Sequence, residues 1–196
     1  MKFKKVIWAL RALIYKLFSC KIGSLSYIGK PLYISTYKGL NIGSKVRIYP
    51  GLRVEIVDKV SAINIGDNTS LGQNCHIVSK GSLSIGKNST ISANVFISNV
   101  NHNYRELDVH ILEQELLNYE TTIGENCFIG YGAVILPGTI LGKQCIVGAN
   151  SVVKGKFEDY SVIAGNPARV IKRYNFQSNS WEKVWKWTWK KIRKRK

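Results

Sequence analysis

One stretch of the chain gathers two of its three histidines and five of its twelve acids. Between Ile97 and Ile123 the sequence reads SNVNHNYRELDVHILEQELLNYETT. It opens on Asn99, Asn101, His102, Asn103 and Tyr104 and runs on through Glu106, Asp108, Glu113, Glu115 and Glu120. Imidazole changes protonation near neutral pH, so His102, flanked by amides and acids, could serve as a general base. The same ring on a solvated loop could equally be inert. Metal chemistry has less to work with. The histidines are His76, His102 and His110, and the four cysteines include no Cys-x-x-Cys pair, so no metal site is expected. Cys75, Cys127 and Cys145 are read as packed thiols of a reducing compartment, and Cys20 has no evident role.

The stretch matters because it interrupts a period. Aliphatic residues recur every sixth position at Ile123, Ile129, Ile135, Leu141, Val147 and Val153. Earlier runs are Ile22, Ile28, Ile34, Leu40; Ile42, Ile48, Val54, Val60; Leu71, Ile77, Leu83; and Ile85, Ile91, Ile97. A period of six fits neither an amphipathic helix nor a half-buried strand. It fits an all-β solenoid in which three short strands make one turn and each aliphatic stacks on its equivalent in the next. About five to six turns are expected. Gly follows the aliphatic at positions such as Gly66, Gly72, Gly86 and Gly124, as a tight corner free of Cβ requires. A small residue stands two places before it (Thr69, Cys75, Ser89, Cys127, Ala133, Thr139, Cys145, Ser151) and should face the narrow interior. Asn68, Asn74, Asn88, Asn94 and Asn126 supply turn chemistry.

The net charge of +17 is concentrated at the two ends. Residues 1–21 hold six basic side chains and no acid, and residues 181–196 hold eight against Glu182. The apolar run Val6–Phe18 is broken by Arg11 and Lys16, too short and too charged to span a bilayer and without a signal-peptide cleavage site. It reads as an amphipathic helix. Trp181, Val184, Trp185, Trp189 and Ile192 recur at helical spacing at the other end. Basic helices with an apolar face suit an anionic membrane surface, although both could instead cap the solenoid or pack on neighbouring subunits. Nucleic acid is not expected, since no recognition motif accompanies the charge. The chain thus divides into a basic helix at 1–21, a solenoid at 22–173 with an excursion at 98–122, and a basic Trp-rich helix at 174–196.

The hexapeptide pattern, the His-bearing excursion after I-S-A-N-V-F-I-S, the run I-G-E-N-C-F-I-G-Y-G-A-V-I-L-P-G-T-I-L-G-K-Q-C-I-V-G-A-N-S-V-V and the closing A-G-N-P-A-R-V-I-K are similar to the left-handed parallel β-helix acyltransferases, in particular the galactoside/maltose O-acetyltransferase group. The resemblance covers roughly residues 40–173. It alone implies the left hand, since ordinary crossovers are right-handed. It implies acetyl-CoA as donor, His102 as catalytic base, and a homotrimer with active sites between subunits. It further implies a pantetheine path near Phe128, Tyr131, Gly148, Ala149 and Lys154, with Arg169 and Lys172 meeting the nucleotide phosphates. The acceptor side would comprise Asn99, Asn101, Tyr104 and Lys80.

Departures from the family pattern bear on the acceptor. Asn99-Val100-Asn101-His102 keeps only the second His of the usual D-H-x-H, and Phe128 stands where a Trp is usual. Gly72 and Lys80 occupy positions that hold a sugar-binding Asn and Asp in the galactoside enzymes, which argues for a different, acidic acceptor. The expected function is O-acetylation of a bacterial surface-glycan sugar in the cytoplasm, at the inner face of the membrane. The alternatives are a small soluble acceptor such as a nucleotide-sugar amine, serine or an antibiotic, and a non-catalytic scaffold.

Overall fold

The structure is a computed structural model that describes residues 2–184. Its body is a parallel β-solenoid whose strands fall into three sheets. One sheet has seven strands, from Lys21–Ile22 to Lys156–Phe157; a second starts at Tyr27–Ile28 and reaches nine by adding two antiparallel strands; the third has six, from Tyr33–Ile34 to Val152–Val153. Seven turns result, one or two more than the period suggested, because Ala62–Ile65, Lys156–Phe157 and Ser161–Gly165 add strands outside the six-residue runs.

Register explains the period. Ile22, Ile42, Ile65, Ile85, Ile123, Leu141 and Phe157 pair in sequence up one sheet. Ile28, Ile48, Leu71, Ile91, Ile129, Val147 and Ile163 form a second column, and Ile34, Val54, Ile77, Ile97, Ile135 and Val153 a third. Nearly all are buried, so three aliphatic columns make one continuous core. Val60 does not belong to it. That side chain is 87% exposed in a loop organised by Asp58, whose carboxylate accepts from the Val60 and Ser61 amides and the Ser61 hydroxyl. The column resumes one strand later with Ile63 and Ile65.

The small interior positions have a further reason to be Ser, Thr or Cys. Each donates to a corner carbonyl of the next turn: Thr69 to Gly86, Ser89 to Gly124, Cys127 to Gly142 and Cys75 to Ser92, at 3.0–3.2 Å. A hydroxyl or thiol fills the slot and satisfies a buried acceptor at once. Cys20 also finds its role here. It is buried where the N-terminal helix meets the coil, and its thiol donates to the Leu40 carbonyl. Burial pushes the Cys20 thiol up to about 12 and the Cys75 thiol up to about 11. All four cysteines are free and buried, so none should react with a thiol reagent at about pH 8 in the native state, and all four should react once the chain is unfolded.

The corner glycines are required for space rather than for φ. At Gly124 a Cβ would stand 2.5 Å from the Gly142 carbonyl oxygen, and at Gly86 2.5 Å from the Gly124 carbonyl carbon. The left-handed backbone falls two residues later, on Asn68, Asn88 and Asn126, with φ of 55–59°. Asn tolerates that region better than other residues with a Cβ. Gly124→Ala should therefore destabilise the solenoid by about 1–3 kcal/mol, read as a lower denaturant midpoint.

Both ends of the coil are covered. The helix α1 (Lys2–Leu17) lies on the first turn, with Ala12 buried, Trp8 against Tyr27 and Tyr49, and Tyr15 on Tyr37. Arg11, which broke the apolar run in sequence, donates to the Ile28 carbonyl at 3.0 Å. At the other end Ala168–Asn175 folds back antiparallel on Ser161–Gly165, and Ser180–Lys183 pairs with it in turn. The helix expected from 174 onward is thus a strand hairpin over 174–183. It is held by Tyr174, Phe176 and Trp181 packed edge-on, with Phe176 also on Tyr160. Trp185, Trp189 and Ile192 lie outside the described residues.

Candidate active site

The excursion at 98–122 is an arm rather than an irregular loop. It leaves the third sheet after Phe96–Ser98 and re-enters the first at Thr121–Ile123. Val100–His102 and Leu116–Asn118 pair antiparallel, which sets His102 opposite Leu116. The tip is held by Gln114, a buried side chain. Its Nε2 donates to the carbonyls of Glu106 and Val109 at 3.0 and 2.9 Å, and its Oε1 accepts from the Glu106 amide at 3.2 Å. The Asn103 amide donates to the Glu115 carbonyl at 3.0 Å. Strand pairing and this bracket give His102 a fixed backbone.

The base of the arm is held by Asn99 and Lys80, two residues expected to face the acceptor. Asn99 is fully buried. Its Nδ2 donates to the carbonyls of Lys80 and Ser82 at 2.8 and 3.2 Å, and its Oδ1 accepts from the Lys80 amide at 2.8 Å. With both ends of the amide engaged and no surface exposed, Asn99 is a bracket and not an acceptor contact. The Lys80 ammonium donates to the Leu116 carbonyl and lies 3.9 Å from the Glu115 carboxylate. It clamps the return strand of the arm, so a lysine in that place is accounted for without an acidic sugar. Asn101, His102 and Tyr104 are exposed. Among the described residues the His102 ring makes no hydrogen bond within its own chain, and no carboxylate of the arm orients it.

The residues expected along the CoA path divide by position. Phe128 and Tyr131 are about half exposed, and the Tyr131 hydroxyl accepts from Asn94 Nδ2 at 2.5 Å. Tyr131, Gly148 and Ala149 stand at the corner between the second and third sheets. Register carries Phe128 to Ile146, to Val162 and to Lys172, so Lys172 lies on the same sheet and in the same column as Phe128. Arg169 is exposed on that return strand, its guanidinium donating to the Ala168 carbonyl at 2.8 Å. Lys154 is separate. It follows Val152–Val153 at the corner between the third and first sheets, the edge from which the arm springs. In one chain, then, His102 and Lys154 belong to one edge of the prism, and Phe128, Tyr131, Ala149, Arg169 and Lys172 to another face and corner.

A second ionisable cluster went unread in the sequence. On the third sheet His76 Nε2 lies 2.9 Å from Glu55 Oε1, Arg53 donates to the same oxygen at 2.6 Å, and Phe96 packs edge-on against the imidazole. Partial burial raises the Glu55 carboxyl, but the hydrogen bonds from Arg53 and His76 outweigh it and hold Glu55 below the usual range. His76 precedes the buried Ile77 on its strand, so its side chain points outward. Its partner is 21 residues away, about one coil, so a list of outward positions in adjacent coils would have found the pair.

Known proteins resemble this chain over most of its length. The family described as Bacterial transferase hexapeptide (six repeats) matches residues 120–155, and the Hexapeptide repeat of succinyl-transferase matches 62–99. The chain is 34% identical over 161 residues to the Putative lipopolysaccharide biosynthesis O-acetyl transferase WbbJ of Escherichia coli, covering 79% of this chain and 82% of that protein. It is 36% identical over 117 residues to the Galactoside O-acetyltransferase of the same organism, covering 59% of this chain and 56% of that protein. Among solved structures, galactoside acetyltransferase in complex with coenzyme A superposes with a TM-score of 0.62 at 27% identity, covering 86% of this chain and 71% of that one. The N-acyltransferase AntD from Bacillus cereus superposes with a TM-score of 0.71 at 18% identity, over 85% of this chain and 90% of that one, a likeness of fold alone.

Proposed function

Since this chain belongs to the hexapeptide-repeat acetyltransferases, we propose that it transfers the acetyl group of acetyl-CoA to a sugar hydroxyl of a bacterial surface glycan, with His102 as general base. The observation that carries the reading is the arm: the exposed imidazole of His102, on a strand-paired and bracketed backbone, projecting from a solenoid whose similarity to a lipopolysaccharide O-acetyl transferase runs over most of the chain. The imidazole takes the proton of the acceptor hydroxyl as its oxygen attacks the thioester carbonyl. The tetrahedral intermediate then expels the CoA thiolate, which recovers that proton from His102. A backbone N–H of the coil stabilises the oxyanion. No acyl-enzyme is required, because holding donor and acceptor together supplies much of the rate.

The division of the site between two edges of the prism supports completion by a second copy. His102 and Lys154 of one subunit would face Phe128, Tyr131, Gly148, Ala149, Arg169 and Lys172 of its neighbour. Three copies around one axis would repeat that arrangement and close the assembly as a homotrimer. Arg169 and Lys172 are suited to the nucleotide phosphates of CoA, and Phe128 offers an aromatic face. Asn101 and Tyr104, exposed on either side of His102, are the remaining candidates for acceptor contacts. The reaction would run in the cytoplasm, where acetyl-CoA is made.

The test is release of free CoA thiol from acetyl-CoA in the presence of a panel of surface-glycan sugars and their lipid-linked forms. Turnover only on a small soluble amine, serine or an antibiotic would replace this reading with the soluble-acceptor one. No turnover with any hydroxyl or amine acceptor would leave a binding scaffold.

A further inference from the structure

The N-terminal end of the solenoid carries a surface that acetyl transfer does not use. α1 turns Trp8, Arg11, Ala12 and Tyr15 toward the first turn. Its opposite side presents Val6, Leu10, Leu13, Ile14 and Leu17 to solvent, each 52–83% exposed. At 100° per residue these fall in one stripe along the helix, a pattern normally turned inward.

Leu25 extends the stripe onto the coil. It lines the same groove as Leu13 and Lys16, of about 390 Å³, and is itself 79% exposed. Its backbone is left-handed, with φ of 58°. At the equivalent corner of later turns that conformation is taken by Lys45, Asn68, Asn88, Asn126, Gln144 and Tyr160. A branched apolar residue is held in a costly conformation, in solvent, where Asn would serve the fold better. Leu25 is the one aliphatic side chain at this corner, and it adds exposed apolar surface beside the helix stripe.

Charge indicates what meets it. From the N-terminus to Arg53 the chain contains eleven basic residues and no Asp or Glu, the first acid being Glu55. Lys5, Lys16, Lys21, Lys30 and Lys45 thus belong to an end of the molecule with no acidic counterpart on α1 or the first turn. An apolar stripe on a helix within a wholly cationic surface matches the interface of a bilayer containing anionic lipid, where apolar side chains enter the acyl boundary and lysines meet phosphates. No helix of the described residues is long and apolar enough to cross a membrane. We propose that α1 and Leu25 form a docking face for an anionic lipid surface, with α1 lying in its plane.

Docking in this pose has a consequence that rests on the proposed glycan acceptor. The arm springs from the fourth turn, three strand spacings from the first, or roughly 15 Å along the axis. His102 would then stand near enough to the bilayer to meet the sugar of a lipid-linked glycan while α1 stays bound.

The experiment is flotation of the full chain with vesicles of phosphatidylcholine alone or mixed with phosphatidylglycerol, beside soluble-acceptor turnover and the mass of the assembly. The parent should float with the anionic vesicles only. Leu10→Glu with Leu13→Glu should lower partition at least about tenfold. Leu25→Asn should weaken it several-fold while the melting temperature stays level or rises, since Asn suits the corner; a misfolded helix cannot mimic that combination. Turnover on a soluble acceptor should be unchanged in all three proteins, so loss of docking and failure of the proposed reaction are read separately. Three results would overturn the proposal: no flotation with anionic vesicles, variants that float like the parent with binding lost only on removing residues 185–196, or a double variant whose assembly mass falls, which would make the stripe a contact between copies.

Discussion

Replacing His102 by Ala should lower kcat by about 10²–10⁴-fold, the usual contribution of a positioned base and equivalent to roughly 3–5 kcal/mol of transition-state stabilisation. The melting temperature should not move, because the ring is exposed and bonds to nothing in its own chain. KM for acetyl-CoA should change little, since the residues proposed to hold the donor are Phe128, Tyr131, Arg169 and Lys172. His102→Gln should fail as badly as Ala, because an amide of similar reach cannot accept a proton at neutral pH. Activity within about threefold of the parent would remove His102 from the mechanism. His76, paired with Glu55, would then be the imidazole to test next, since its carboxylate already fixes the ring.

The legibility of this chain depends on sequence separation. The aliphatic columns could be read because register repeats the same inward position in every turn, as in Ile85, Ile123 and Leu141. The Asn corners could be read because each carries its own left-handed residue, a local property. The glycines were read correctly as corners that need a residue free of Cβ, but not what a Cβ would strike, which is the backbone of the next coil. Only stacked turns reveal that contact. Side-chain partners were invisible for the same reason: Asn99 with Lys80 and His76 with Glu55 lie about one coil apart, and no local pattern distinguishes a partnered outward residue from a solvated one.

The arm shows the other limit. Its two three-residue strands are too short to announce themselves, and the link between them is closed by Gln114 rather than by a recognisable turn. The break in the period placed His102 on an excursion and the resemblance gave it an expected role; the strand pairing that fixes its backbone was legible in neither. At the C-terminal end, Trp181 satisfied a helical spacing with Val184 while pairing across strands with Tyr174, a coincidence that periodicity alone cannot detect.

Asn99 separates a positioning role from an acceptor contact. Asn99→Ala removes the partner of the Lys80 amide and of the Lys80 and Ser82 carbonyls, all at the point where the arm leaves the coil. Buried backbone groups left unpaired cost about 1–3 kcal/mol each, and partial access to water at this edge reduces the sum to about 2–4 kcal/mol. The melting temperature should fall accordingly. Below that temperature kcat should also fall, because an arm loosened at its root holds His102 away from the reacting hydroxyl, and an error of an ångström costs about a hundredfold. KM for the acceptor should stay near that of the parent, whereas loss of a true acceptor contact would raise KM and leave the melting temperature alone. Asn99→Asp keeps the acceptor for the Lys80 amide but turns a carboxylate oxygen toward two carbonyls. It should therefore rescue little, and more at low pH, where a protonated carboxyl can donate to one of them. Rescue that instead grew with pH, or an acceptor KM effect at unchanged stability, would return Asn99 to the acceptor side of the site.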